Sequence, residues 1–407
     1  MAAVAGLRGS GDFATDERPK DFRSFILFRN PNGNAPIFAL SSKGPKERPA
    51  DPEFNWWDES NDIIRLQVNG ALLVGDTTFV VDSADPDATN PERVYGLATH
   101  LKAGDLLLVE KTEVAAFDNE IVEVVSVTNA TTFVVTRGAA GSTAAAISDN
   151  AFLTKIGSAY AEGTAQADAV SRNPIKFTNY CQIFKTSYEA TRTAAQIKNL
   201  RTGDLLKNEK ARKSFDHARD IEMQYLFGKK YETTGANGKP KRYMGGLREF
   251  IPAGNTTIFG AAVTTSSFLD AVVPVFDFET TAGNERICFC GNTALNELNK
   301  IMLAASSIQY KGVVDVFGMR FMEFITPQGT LFLKTHPLLS RNNLYSSSMF
   351  VLDMASIRHR PFMDTKSEDD IQLPGEDKKE GQWISEIGLE VERGGLTCAY
   401  LGNISAT

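Results

Sequence analysis

Between residues 62 and 158 the chain carries six short β-rich runs, each bounded by a turn signal, and this stretch cannot share one core with its surroundings. The runs are 63–68, 77–81, 105–109, 121–125, 132–136 and 151–153. Asn69-Gly70, Gly75-Asp76, Asp85-Pro86, Gly104-Asp105, Asp118-Asn119 and Arg137-Gly138 punctuate them. Short strands at regular spacing predict a small all-β barrel or sandwich. A helical period is present only over 139–147. The whole chain has 407 residues, more than one compact core usually spans, so two or three domains are expected.

Aromatic extended segments flank the β module. Phe54-Asn55-Trp56-Trp57 precedes it, and Phe177-Thr178-Asn179-Tyr180-Cys181-Gln182-Ile183-Phe184 follows it. These two segments are expected to be the legs of one long β-hairpin with the module inserted at its tip. Closing so long a loop costs little extra entropy if the insert folds by itself. Adjacent tryptophans on a strand point to opposite faces, so both faces of the first leg need cover, from the fold or from a partner.

The first 50 residues make a poor core, because Gly, Pro and charge interrupt them repeatedly. Such a segment buries too little apolar surface to offset its ordering entropy. Phe25, Leu27, Phe28, Ile37, Phe38 and Leu40 are nevertheless too apolar for a solvated tail. They predict an arm that orders against neighbouring subunits.

The clearest helix runs over 204–227, with Asp204 as N-cap and Gly228 as the residue after its end. Ala211, Phe215, Ala218, Glu222, Tyr225 and Leu226 form one stripe at helical spacing. Glu209 and Lys213 are placed for an i,i+4 pair. Glu222 falls inside the apolar stripe, where an unpaired carboxylate is costly. Arg219, one turn earlier, is its expected partner, and an ion pair fixing the helix outweighs a catalytic acid. From about 250 onward the pattern is α/β. Helices are expected at 266–276, broken at Pro274, and at 292–305. Strands are expected at 286–290, 320–325, 330–334, 349–352, 383–391 and 397–401, with a charged, broken stretch at 366–381.

Chemistry finds no constellation here. Cys288 and Cys290 lack a second ligand pair at zinc spacing and suit one buried face of a strand. Gly235 to Pro240 lacks the spacing and the Ser/Thr of a phosphate loop. The acidic residues Glu368, Asp369, Asp370, Glu376 and Asp377 lack the alternation of a calcium loop. The basic cluster Lys207, Lys210, Arg212 and Lys213 is interleaved with acids and reads as a solvated helix face. No catalytic residue, cofactor or metal is therefore expected. The formal net charge of −7 argues against a dedicated nucleic-acid binder. Four scattered cysteines suit a reducing compartment. No apolar run approaches membrane-spanning length, so a soluble intracellular chain is expected.

The order of several segments is nonetheless specific. Asn179-Tyr180-Cys181-Gln182-Ile183-Phe184 leads to Thr193-Ala194-Ala195-Gln196-Ile197. Ala218-Arg219-Asp220-Ile221-Glu222 follows with Leu226 and Gly228, then Met244-Gly245-Gly246-Leu247. Gly381-Gln382-Trp383-Ile384-Ser385-Glu386-Ile387-Gly388-Leu389-Glu390-Val391 stands near the end. The series resembles tailed-phage major capsid proteins with the Hong Kong 97-type fold, with Cys181 where Thr is usual. Arg137-Gly138-Ala139-Ala140-Gly141-Ser142-Thr143-Ala144 resembles the signature of a β module found in phage structural proteins.

The resemblance implies an α+β fold in five parts. An N-terminal arm covers 1–50. Hairpin legs of an extended loop cover 51–61 and 159–190, carrying an all-β insertion domain at 62–158. A peripheral domain takes 191–250 and 361–407, including a spine helix at 204–228. An axial domain takes 251–360. It further implies a non-enzymatic homo-oligomer of pentamers and hexamers in an icosahedral shell around double-stranded DNA. Portal, scaffolding or decoration proteins are implied partners, and assembly is implied in the host cytoplasm, away from any membrane. Phe25, Phe28, Trp56, Trp57, Tyr180, Phe184, Phe215, Arg219, Glu222, Tyr225 and Trp383 are the expected assembly or structural residues. An encapsulin shell and another phage virion protein are the rival readings.

Overall fold

Two cores lie back to back on one sheet of the computed structural model, which describes residues 35–405 apart from 43, 45, 60–62, 83–96, 112–117, 172, 198–203, 306–309 and 317–318. The sheet has seven strands in the order Thr256–Ile258, Ala399–Gly402, Met349–Leu352, Glu285–Cys290, Thr330–Thr335, Met319–Ile325 and Tyr310–Val316. Every residue of Met349–Leu352 is buried, as befits a central strand covered on both faces. Alternation then divides its neighbours. Phe289, Phe350, Leu352 and Tyr400 join the core under the long helix, with Ile221, Tyr225 and Leu226. Cys288, Cys290, Met349, Val351, Ala399 and Leu401 join the other core, beneath Phe268, Val272, Ala294 and Leu298. Those four come from the helices Thr265–Val272 and Asn292–Ala305. Pro274 ends the first of these as expected, and the chain tightens into a 3-10 turn over Val273–Phe276. The last strand had been expected to return to the peripheral domain. It instead pairs with Met349–Leu352 and Thr256–Ile258 inside this sheet.

A second sheet is longer and narrower. Lys378–Val391 pairs with Ile357–Asp369 on one side and Gln182–Thr191 on the other, all antiparallel. The charged stretch at 366–381 is thus strand at both ends, 366–369 and 378–381, and broken as expected over 370–377. Cross-strand contacts hold its two ends: Lys378 meets Glu189, and Gln382 donates to Glu368. Lys378 also meets Glu376 and Glu380, and Lys366 meets Glu368, along the same chain segment.

The long helix, Leu205–Phe227, lies against this second sheet. Asp204 caps it, its carboxylate accepting from the amides of Leu206 and Lys207. Its buried residues are His217, Ile221, Glu222, Tyr225 and Leu226. Phe215 departs from the expected stripe and is 52% exposed; Ala211 is exposed as well. The buried side runs through 217, 221 and 225, so the first half of the helix overhangs the core. Glu209 pairs with Arg212 rather than Lys213, and Lys213 pairs with Asp216. Gly228 is not in the left-handed region, with φ −57°. Glycine is needed there for closeness, because a Cβ would stand 2.5 Å from the carbonyl oxygens of Gln224 and Met244.

Glu53–Asp58 pairs antiparallel with Ile175–Tyr180, from Glu53 opposite Tyr180 to Asp58 opposite Ile175. The hairpin therefore forms, but its second leg stops at Tyr180. Beyond Cys181 the chain crosses to the long sheet, and Phe184 belongs there. Between the legs stands a six-stranded sheet in the order Arg65–Gln67, Phe152–Ser158, Asp105–Val109, Ile121–Val127, Thr132–Thr136 and Thr78–Val80. It has its own core of Leu66, Val68, Phe79, Leu107, Val122, Val124, Phe133, Val135 and Leu153. The expected helix at 139–147 is only a 3-10 turn over Ala139–Gly141. Arg137 explains the signature beside it. Its guanidinium pairs with the buried Glu120 at 2.7 Å and donates to the carbonyls of Leu73, Asp76 and Ala145. Glu120 in turn accepts from the amides of Gly138 and Ala145.

Breaking a buried pair of this kind costs about 3–5 kcal/mol, because one charge is left behind. Arg137→Ala is accordingly expected to open a separate early transition in urea, confined to residues 63–158. Peptide-resolved hydrogen exchange at intermediate urea checks this, and uniform unfolding of the variant would refute it.

Candidate functional site

Three of the segments that looked familiar in sequence, 179–184, 244–247 and 381–391, meet at one place, the foot of the hairpin. The buried Asn179 side chain makes four hydrogen bonds there. Its amide donates to the carbonyls of Gly245 and Leu389, and its oxygen accepts from the amides of Gly245 and Tyr180. One side chain thus joins the hairpin, the 244–247 turn and the long sheet. Gly388 lies beneath it, where a Cβ would stand 2.4 Å from the ring of Phe54. Trp56 stacks on Phe54 and Phe177 at 6.0 and 5.9 Å and leans on Phe250 at 5.6 Å. The hairpin foot is therefore anchored on its own subunit. Tyr180, half-buried beside it, has its hydroxyl pushed up by burial and by the charges of Glu53 and Glu232.

Trp57 does the opposite. It is 61% exposed, although Trp56 beside it is buried. Alternation makes this one outer face, on which Glu53, Asn55, Trp57 and Glu59 are all exposed. Only one of the two faces expected to need cover is covered within the subunit.

Glu222 is fully buried, and Arg219 is not its partner; Arg219 pairs with Asp216 at 2.9 Å instead. The Glu222 carboxylate accepts from the amides of Ile37 and Phe38 at 2.9 and 2.7 Å, and meets His336 Nε2 at 2.7 Å. Those amides open the short helix Pro36–Ser41, which has no side-chain cap of its own. A carboxylate at a helix start satisfies orphan amides and complements the helix dipole. This part of the arm therefore packs on its own subunit, with Ile37 and Leu40 buried against Tyr225 and Leu226. Phe25 and Phe28 lie outside the described residues. The interaction joins residues 185 positions apart, which is why helical spacing could not reveal it.

Imidazoles hold the rest of the helix. His217 sits between the hydroxyls of Thr186 and Ser385 at 3.0 and 2.8 Å, edge-on to the buried Phe184. The Tyr225 hydroxyl meets His359 Nδ1 at 2.6 Å. Burial lowers the His217 pKa, with Asp220 opposing it. For His359, burial and then Lys46 lower the value to about 4, against a weaker pull from Asp364. Trp383 fixes the overhanging half, its indole N–H donating to the Lys210 carbonyl at 2.9 Å. Lys210 also pairs with Asp369, which accepts from Tyr188 as well.

No cluster of metal-ligating side chains occurs among the described residues. Burial pushes the Cys290 thiol up to about 12 and raises that of Cys288 well above the usual thiol range, so both are packing groups. Among the described residues no helix is long and apolar enough to cross a membrane. A model of the SU10 major capsid proteins matches residues 12–404. The chain belongs to the SU10 major capsid protein family. A major capsid protein of Pseudomonas phage PaMx41 is 25% identical over 412 residues, covering 98% of this chain and 93% of that one. A solved structure from Microbacterium phage Oxtober96 is 10% identical, covering 95% of this chain and 96% of that one, with a TM-score of 0.44. The SrpI encapsulin complex of Synechococcus elongatus PCC 7942 is 10% identical, covering 59% of this chain and 79% of that one, with a TM-score of 0.41.

This member of the SU10 capsid family is thus a phage structural protein of the capsid, and its α+β architecture includes the hairpin and the long helix that the resemblance implied. The β module lies inside the span matched by the family model.

Two predictions follow from the helix bed. Glu222→Gln is expected to cost about 3–5 kcal/mol and to speed amide exchange at Ile37 and Phe38 ahead of the rest of the core. Unchanged protection at those amides would refute the clamp. The second concerns acid. His359 titrates near 4 when folded and near 6.5 when unfolded, so the unfolded chain takes up protons first. Stability is full above about 6.5 and falls as pH drops towards 4. His359→Gln should flatten this acid slope in urea titrations at pH 7.5, 6 and 5.

Proposed function

We propose that the protein tiles a closed icosahedral shell as pentamers and hexamers, around double-stranded DNA held by weak, non-specific contact. The observation that carries this reading is the hairpin with one tryptophan buried at home and the next one bare. A face carrying Trp57 between Glu53 and Glu59 suits an interface core with a charged rim. Further large apolar groups stand exposed on the body, among them Ile183, Phe215, Tyr231 and Ile258. Exposed apolar groups in such number fit a subunit that is covered by its neighbours on assembly.

In this reading residues 1–50 are the arm, though 36–41 are fastened to the body. The legs around 51–61 and 159–180 form the extended loop, and 62–158 the insertion domain. The long helix and the narrow sheet, including 182–191, form the peripheral domain. Residues 251–356 form the axial domain, together with the last strand. The shell is assembled in the host cytoplasm, with portal, scaffolding or decoration proteins as further partners. The subunit acts mechanically and catalyses nothing; the hydroxyl–imidazole contacts of His217 with Ser385 and of Tyr225 with His359 are buried in the helix bed, away from any substrate.

Substituting each tryptophan separates the two roles. Trp56→Ala is expected to destabilise the isolated subunit by about 3–5 kcal/mol. Trp57→Ala should leave subunit unfolding within about 0.5 kcal/mol of wild type while reducing the yield of closed particles. Light scattering after size exclusion, with micrographs of the same fraction, gives the readout. Wild-type protein that stays monomeric with its hairpin fully ordered would overturn the shell reading.

A further inference from the structure

The bare face of the hairpin has a complement elsewhere on the same molecule. After the long helix, Tyr231–Thr234 and Pro240–Tyr243 form a small antiparallel hairpin. Residues 229–243 hold Lys229, Lys230, Lys239, Lys241 and Arg242 against a single acid, Glu232, in a chain whose net charge is −7. The register sorts these side chains. Glu232 lies opposite Arg242 and pairs with it at 3.3 Å on one face. Tyr231 lies opposite Tyr243, with rings 6.2 Å apart, and Thr233 opposite Lys241, on the other face. No carboxylate of the described residues lies within 4.0 Å of the ammonium groups of Lys229, Lys230, Lys239 or Lys241. Tyr231 is 60% exposed.

Beside this hairpin opens a cavity of about 440 Å³, lined by Ile183, Tyr243, Lys239, Lys241 and Gln182 among others. Ile183 is 55% exposed. The receptor thus offers Ile183 and Tyr243 as apolar surface, with Lys239, Lys241 and Arg242 around it and one acid, Glu386, in its lining. The first leg offers the reverse pattern: Trp57 between Glu53 and Glu59, within a segment, 51–59, that has four acids and no base, while Lys176 of the second leg stands opposite Trp57, as Glu386 stands among the receptor's cations.

We infer that Trp57 of one copy docks into the cavity beside the Tyr231–Tyr243 hairpin of a second copy, with Glu53 and Glu59 meeting Lys239 and Lys241. The two patches differ, so the contact is heterologous and propagates head to tail around a ring. This deepens the shell reading and rests on it. A protein surface fits the receptor better than nucleic acid, because its lining combines cations with Ile183, Tyr243 and the acid Glu386, and a phosphate backbone would leave the apolar groups uncovered and meet Glu386 as a like charge.

Charge exchange and a disulfide trap test it together in the full-length protein. Lys239→Glu with Lys241→Glu is expected to lower the particle fraction at least about tenfold through like-charge repulsion, with the subunit's thermal unfolding unchanged. Glu53→Lys with Glu59→Lys should do the same, and all four changes in one chain should restore particles. Separately, Trp57→Cys with Ile183→Cys, oxidised, should give a ladder of linked copies on a non-reducing gel, and neither single variant should. Particles from the lysine variant at wild-type yield, or a quadruple variant with no recovery, overturns the contact. A lysine variant that assembles normally but loses retention of duplex DNA overturns it in favour of a nucleic-acid surface. A ladder without closed particles would instead keep the contact and sink the shell reading.

Discussion

The subunit depends on one buried carboxylate. Glu222 stands where three pieces meet and is the polar contact they share: the long helix, the short helix Pro36–Ser41 and the turn at His336. A buried charge is destabilising unless its lone pairs are filled, so the three donors are obligatory. The helix, having one such residue on its buried side, can sit against the two cores in only one rotation and one axial position. Neutral histidines at 217 and 359 then extend that registration along the helix without adding charge, since burial disfavours their protonated forms.

Much of this fold was legible because it is local. Five of the six β-rich runs of the insert fall on strands within two residues at each end, and the sixth, 151–153, holds the start of a longer strand. Asp204 caps its helix, and Pro274 breaks its helix, as their chemistry requires. Cys288 and Cys290 share a buried face for the reason alternation gives. The failures share a cause too. Helical spacing identified Glu222 as a residue in need of a partner, yet proposed Arg219, because a pattern within one helix can only suggest neighbours on that helix. Phe215 was assigned to the core by the same periodicity, whereas the helix overhangs its bed before residue 217. The charged stretch at 366–381 is broken over 370–377 as expected, but its two ends are strands whose pairing partners lie elsewhere in the chain.

The candidate surface was half-legible. Adjacent tryptophans at 56 and 57 announced two faces needing cover, and the structure covers one of them. In the sequence, Gly235 to Pro240 reads only as a segment lacking the marks of a phosphate loop. The lysines of the hairpin at 229–243 become informative once the cross-strand register separates them from Arg242, which is already neutralised by Glu232. The compact packing of Asn179, Gly245, Gly388 and Leu389 explains why three of the resemblance segments, distant in sequence, go together: each is a wall of the same small space.

The insertion enters after Asp58 and leaves before Ile175, and these two residues face each other across a paired ladder. Its two attachment points are therefore only one strand spacing apart, roughly 5 Å. From the standpoint of the hairpin, the whole six-stranded module is a loop, and any autonomously folding unit whose ends lie close together would satisfy the same junction. The capsid subunit is in that sense a socket, and its outer identity can be rewritten by module exchange while the helix bed, the hairpin foot and the central sheet stay as they are.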